Sequence, residues 1–340
     1  MAAVKSATLG VIRTAALAVG CACLVAAVLA QAGRVVLALD VLSHFAPFWL
    51  LGGLACALCG LALAKGRARR RLLAVGTLAV VAAVALLAPE MFRRRSAPAA
   101  ADAADRIRLI QFNAWELNGE PEAAAEWIAD EKPDAVAVEE LSGALRAALE
   151  RRGFHGEQGL NRSVAIFSRA SRAREPFMVP LADWPLLPEF ARASFAAPGG
   201  DGTFSLVAVH LRWPTRPHAW RQTLRLADFL DRYDADRLIL VGDFNLTPWS
   251  FALRQLDRRF GLERRDRFLP TWPARVSLDG RVYATPAFMP IDHVYAGAAW
   301  RTVMVRRGPS MGSDHYPLVV DLALTPRAAG FPASRAIKTF

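Results

Sequence analysis

Six apolar runs in this sequence adjoin an amide, a carboxylate or an imidazole. Ile107-Arg-Leu-Ile-Gln-Phe runs into Asn113, and Pro133-Asp-Ala-Val-Ala-Val into Glu139 and Glu140. Phe204-Ser-Leu-Val-Ala-Val ends at His210, and Leu238-Ile-Leu-Val-Gly at Asp243-Phe-Asn245. Ile291-Asp292-His293-Val294 and Gly312-Ser313-Asp314-His315-Tyr-Pro317 complete the set. Glu140, Asp314 and Asn113 are hard oxygen ligands, suited to Mg²⁺ or Mn²⁺ and poorly suited to zinc. His210 and His315 can donate protons or hydrogen bonds near neutral pH. Asp292 can fix a histidine tautomer. One divalent ion, with imidazolium and amide donors around an anion, is what phosphate-ester hydrolysis requires. Taken singly, each has an ordinary structural reading: Asn113 as a turn residue, Glu139 and Glu140 as a helix first turn, Asp243-Phe-Asn245 as an Asx-turn. The ordered set carries the chemistry.

Short β-rich runs must hold these groups. Arg106–Phe112, Ala135–Val138, Val164–Ser168, Thr203–Leu211, Arg237–Val241, Val294–Ala296, Arg301–Val305 and Leu318–Leu322 read as strands. Glu122–Lys132, Gly143–Arg152 and Pro217–Tyr233 have helical spacing, with Pro133 and Gly153 closing the first two. Strands outnumber helices and long crossovers become scarce in the second half, so the pattern favours two packed sheets flanked by helices over a single parallel sheet. Ligand clefts in layered α/β folds lie at strand ends.

The chain has 340 residues, net charge +11 and 54% hydrophobic residues. Residues 1–95 hold only two acids, Asp40 and Glu90, against eleven basic residues, so residues 96–340 carry only about +2. A basic nucleic-acid binder is therefore a poor description of the whole chain. Three uncharged runs, 14–32, 45–64 and 72–88, are long enough to cross a bilayer. Lys5, Arg13 and the five basic residues of 65–71 predict an inner face; Arg34 and Arg93–Arg95 oppose them. Everything after Ala88 is then expected outside the cytoplasmic membrane. Ala30-Gln31-Ala32 matches a signal-peptidase site, and cleavage there leaves the outer location unchanged. All four cysteines lie in the apolar runs and read as packing residues. Residues 1–95 are thus expected to be an anchor, 96–105 a linker, 106–325 a catalytic domain, and 326–340 a loose tail.

The order Gln111-Phe-Asn113, Val138-Glu-Glu140, Val209-His210-Leu, Gly242-Asp243-Phe-Asn245, Ile291-Asp292-His293-Val and Ser313-Asp314-His315-Tyr-Pro resembles the endonuclease/exonuclease/phosphatase (DNase I-like) superfamily. The likeness spans about residues 106–325. Asn245-Leu-Thr-Pro-Trp-Ser250, after three apolar spans, is similar to the bacterial membrane-anchored branch with VanJ-type teicoplanin-resistance proteins. The resemblance implies a four-layer α/β sandwich. It implies metal ligation by Glu140 with Asn113 and Asp314, and water activation or leaving-group assistance by Asp243. Asn245 would orient the phosphate, His315, held by Asp292, would contact it, and His210 would stabilise the transition state. The chain departs from the family pattern at Trp115, where many nucleases carry Asp or Asn. It departs again at Glu139, commonly Gln, which is expected to add negative charge beside the metal.

The expectation is a Mg²⁺- or Mn²⁺-dependent phosphoesterase tethered to the bilayer. Its tether favours a lipid-linked phosphate through effective concentration. The alternatives are an extracytoplasmic nuclease, using Arg212, Arg216, Arg221 and Arg225 as a local basic patch, and a non-catalytic membrane resistance or interaction module. Asp243 and His315 both remain candidates for the general base.

Overall fold

A computed structural model describes residues 2–94, 96, 98–158, 163–169, 187–200, 202–216, 219–231 and 233–325. The tail 326–340 and the expected helix start at Pro217 lie outside them. The chain divides into two units, Met1–Arg94 with Thr247–Gln255, and Arg95–Leu246 with Leu256–Phe340.

The first unit contains α1 (Ala2–Gln31), α2 (Leu37–Asp40), α3 (Ala46–Leu63) and α4 (Gly66–Met91). Three stretches, Ala7–Arg34, Leu37–Leu63 and Gly66–Met91, are long and apolar enough to cross a membrane. Small residues let the helices approach: a Cβ at Gly53 would stand 2.9 Å from that of Ala79, and one at Gly76 2.6 Å from the Ala57 backbone nitrogen. Cys56 is buried over Gly20, a packing role. The basic stretch 65–71 differs from the expected loop: from Gly66 onward it is helical and forms the first turns of α4.

Thr247–Gln255 belongs to this unit for identifiable reasons. The Asp40 carboxylate accepts the backbone N–H groups of Phe251 (2.9 Å) and Ala252 (2.8 Å), capping the helix Phe251–Arg259 from outside its own sequence. His44 Nδ1 accepts the Thr247 N–H at 3.2 Å, and Trp249 Nε1 donates to the His44 carbonyl at 3.2 Å. Trp249 is buried with Ala30, Ala46, Leu86 and Leu87.

The second unit is built on two mixed sheets. One runs β12-β13-β1-β2-β4-β3, from Trp300–Arg307, Leu318–Leu324, Arg106–Asn113, Ala135–Glu139, Ala165–Ser168 and His155–Gln158. The other runs β5-β6-β7-β11-β8, from Glu189–Ala196, Thr203–His210, Leu238–Asp243, Asp292–Ala296 and Glu263–Arg264. The pairs β1–β2 and β6–β7 are parallel; β1–β13 and β7–β11 are antiparallel. Leu109, Ala137, Leu206, Ile239, Val241 and Val294 meet between the sheets. On the far side of β1 and β2, Ile110, Phe112, Val136 and Val138 pack on α5 (Pro121–Asp130) and α6 (Gly143–Arg151). The second sheet adjoins α7 (Ala219–Leu230), where Phe190 and Phe229 lie 4.8 Å apart. A separate hairpin pairs β9 (Arg275–Leu278) with β10 (Arg281–Ala284) across Asp279-Gly280, both residues at positive φ, as a type I′ turn demands. The expected linker is partly fixed, because Pro98 bridges to Thr302. The second unit is a helix-flanked double sheet.

Candidate active site

Side-chain alternation along the strands delivers the polar groups. On β1 the odd positions Ile107 and Leu109 face the other sheet, so Gln111 and Asn113 share that face. The same parity places Glu139 after Ala135 and Ala137, His210 after Leu206 and Ala208, and Asp243 after Ile239 and Val241. On β11 it pairs Asp292 with Val294 and Ala296. Five strands from two sheets thus carry an inter-sheet hydrophobic row that turns polar at one end.

Hydrogen bonds join these ends. Asn113 Nδ2 donates to Glu140 Oε1 (3.0 Å) and Asp243 Oδ2 (3.1 Å). His210 Nε2 lies 3.8 Å from Glu140 Oε1 and 3.7 Å from Asp243 Oδ2. His315 Nδ1 bonds Asp292 Oδ2 at 2.8 Å, which leaves Nε2 facing Asp243 Oδ2 at 3.7 Å. Asn245 donates its backbone N–H to Asp243 Oδ1 (2.8 Å) and its amide to the Leu211 carbonyl (2.8 Å). Ser313 ties the last loop down: its hydroxyl donates to the Asn113 carbonyl (2.7 Å) and accepts the His315 N–H (3.0 Å). Asp314 Oδ2 accepts from Trp272 Nε1 at 3.1 Å. Glu140 and Asn245 hold left-handed backbone, φ 50° and 52°, strain of a kind that clusters at functional sites.

The charges are unevenly tuned. Burial pushes Asp243 up to about 6, against the pull of His315. His315 rises to about 10: burial opposes its charge, but Asp292 and Asp243 flank it. Asp292 stays low despite burial because of His315. Asp243, Asp292 and His315 are the group of potential ligands that lie closest together among the described residues, within 4.8 Å of one another. That group has its imidazole between two carboxylates and shares no residue with the metal seat expected at Asn113, Glu140 and Asp314.

Glu139 corrects one expectation. It is fully buried with Oε2 accepting from Gln111 (2.8 Å), and burial, then Asp292, raises it well above the carboxylate range. Burial thus works against the negative charge that this extra acid was expected to add. At Asn113 the amide nitrogen faces the carboxylates, while the oxygen accepts the Trp115 N–H at 3.1 Å. Serving as a ligand would require that amide to turn over.

A divalent cation suits the donor set. Burial raises the Asp314 carboxyl and the facing charge of Glu140 adds to it, while His315 and Trp272 pull the other way. Two hard carboxylates repelling one another beside a cleft is the arrangement a Mg²⁺-sized ion relieves. The cleft, about 470 Å³, is lined by Glu140, Glu189, His210, Leu211, Arg212, Trp213, Arg216 and Asn245. Arg212 and Arg216 therefore line it, whereas Arg221 and Arg225 lie exposed on α7. The patch divides accordingly. Trp213 packs against Trp272 at 5.9 Å, and Trp272 against Phe288 at 6.3 Å, as an aromatic series.

The profile of the Endonuclease/Exonuclease/phosphatase family matches residues 110–315, from β1 to the histidine of the last loop. The chain belongs to this family. Among solved structures, a functionally unknown conserved protein from Enterococcus faecalis V583 aligns at TM-score 0.51 and 15% identity, over 64% of this chain and 100% of that one. TDP2 from D. rerio, complexed with single strand DNA product, aligns at TM-score 0.50 and 16% identity, over 64% and 98%. The mannosyl-6-phosphatase Bt3783 of Bacteroides thetaiotaomicron VPI-5482 aligns at TM-score 0.50 and 15% identity, over 64% and 100%. At these identities the likeness establishes the shared fold. A comparison with curated protein sequences finds no match. In this member of the endonuclease/exonuclease/phosphatase family, Glu189, Trp213, Trp272 and His293 are among the residues beside the site to which sequence reasoning gave no role. His293 stood within the quoted motif, and Trp272 carried no motif.

Proposed function

We propose that this protein is a membrane-anchored, divalent-metal-dependent phosphoesterase that hydrolyses a lipid-linked phosphate ester outside the cytoplasmic membrane. The observation that carries the reading is the meeting of Asn113, Glu140, His210, Asp243, Asn245 and the Asp292–His315 pair at one cleft. Glu140 and Asp314, with Asn113 once turned, would hold Mg²⁺ or Mn²⁺, which would neutralise phosphoryl charge and favour attack by water. Asp243, once ionised, is placed to accept a proton from that water. Asn245 and His210 would donate hydrogen bonds to phosphoryl oxygens. His315, charged and held by Asp292, would offset the negative charge that grows as the ester bond breaks.

The lipid reading rests on two supports. The three apolar helices fit a tether, and the Trp213–Trp272–Phe288 series gives an apolar group a surface near the phosphate site. Three spans put the connector 32–45 and everything after Met91 on one face. The bonds of Asp40 and His44 to residues 247–252 fit that parity, and the basic first turns of α4 favour the opposite face as the inner one. The branch resemblance to VanJ-type proteins agrees with this reading. A nuclease is the second reading. Arg212 and Arg216 in the cleft favour it, and the near-neutral charge of residues 96–340 weakens it.

The test is turnover by the full chain in liposomes with Mg²⁺ or Mn²⁺, on bis-p-nitrophenyl phosphate, p-nitrophenyl phosphate, single-stranded DNA and a polyprenyl pyrophosphate. We expect hydrolysis, highest on the lipid substrate, and a drop of at least about 10²-fold in Glu140→Ala. No turnover on any substrate, or equal turnover by Glu140→Ala, overturns the enzyme reading; DNA as the best substrate overturns the lipid one.

A further inference from the structure

Asp292 and His293 are neighbours on β11 and must point to opposite faces of the sheet. Asp292 reaches His315 on the inter-sheet side. His293 points the other way, into a fully buried polar cluster that the chemistry above does not use. Its Nδ1 meets Asp266 Oδ2 at 2.8 Å, and its Nε2 meets the Leu246 carbonyl at 2.7 Å. Each ring nitrogen faces an oxygen acceptor. Asp266 also accepts the Val294 N–H (2.9 Å) and lies 3.7 Å from Arg264, whose guanidinium pairs with Asp257 at 3.1 Å. Although burial works against it, His293 and Arg264 hold the Asp266 carboxyl down to about 2.

Leu246 directly follows Asn245, whose left-handed backbone needs support from both sides. Upstream, the Phe244 N–H donates to the Ile291 carbonyl at 2.9 Å, and the Phe244 ring meets the His293 ring edge-on at 5.6 Å. Downstream, the Leu246 carbonyl is held by His293. We infer that His293, braced by Asp266, is a positioning residue that clamps the Leu246 carbonyl and so fixes Asn245 against Asp243 for catalysis. One β11 dipeptide then supports the site from both faces of the sheet, Asp292 through His315 and His293 through Asn245. His293 itself touches no reacting atom. The inference rests on the phosphoesterase reading for its consequence, and on geometry alone for the clamp.

The test uses the full chain and two readouts. Amide hydrogen exchange across residues 242–250 reports the clamp whether or not a substrate is known. His293→Ala is expected to speed exchange there by at least about tenfold, with the β1 peptide 106–113 unchanged. Turnover reports the consequence: His293→Ala is expected to lower kcat by about 10²-fold, since a misplacement near 1 Å costs that much. Because the effect passes through Asn245, His293→Ala combined with Asn245→Ala should be no slower than Asn245→Ala alone. His293→Gln keeps a donor for the Leu246 carbonyl and should recover about tenfold of the lost rate. It carries both readouts if the alanine variant does not accumulate. Unchanged exchange at 242–250, or losses that multiply in the double variant, overturns the clamp. A wild-type chain inactive on every substrate overturns the phosphoesterase reading instead, and the exchange result still decides the clamp.

Discussion

At the residue scale, the site works by setting neighbouring groups against each other. Asp243 is pushed up to about 6 and His315 to about 10. In the proposed mechanism, Asp243 below the first value is protonated and cannot take a proton from water, and His315 above the second loses the charge that would face a phosphate. The pH profile of kcat/KM should therefore rise through about pH 6, plateau, and fall toward pH 10. An acid limb that stays in place in Asp243→Asn assigns the base elsewhere. Most of these residues are legible in the sequence because a polar group ending an apolar run is conspicuous. Their states are not. Glu139 and Glu140 are adjacent acids in the chain, yet one is sealed between sheets with its carboxyl pushed up by burial while the other lines the cleft.

At the element scale, the strands are aiming devices. Gly242 sits before Asp243 with φ 147°, and a Cβ there would lie 1.9 Å from the Val209 carbonyl oxygen on the neighbouring parallel strand. Only glycine allows β6 and β7 to bring His210 and Asp243 side by side, the last pair of their register. Gly242→Ala should destabilise the fold by at least about 3 kcal/mol, seen as a lowered Tm of the full chain. A Tm within a degree of wild type would refute the packing argument. The eight strands expected from apolar β-rich runs all form. Those missed lacked that signature: Glu189–Ala196 alternates mostly alanine with polar residues, which weakens a β-reading. The hairpin 275–284 leaves most of its side chains exposed, so no apolar face marks it, and Asp279-Gly280 was its only signal. The helix Phe251–Arg259 is capped both by Ser250, whose hydroxyl accepts the Leu253 N–H at 3.1 Å, and by Asp40, far from it in sequence; the first signal is local and the second is not.

At the scale of the whole molecule, the two units do not follow the order of the chain. The sequence suggests an anchor, a linker and a domain in succession, yet Thr247–Gln255 is counted with the apolar helices. Sequence reading treats neighbours along the chain as neighbours in space, and this exchange breaks that assumption. A fragment of residues 96–340 would contain Trp249 without Ala30, Ala46, Leu86 and Leu87, and the helix after it without Asp40. We expect such a fragment to self-associate and bind a hydrophobic dye where the full chain in detergent does not; a monodisperse, dye-silent fragment would refute this. Removing the apolar helices would thus leave a raw apolar wound around Trp249, close in sequence to Asn245.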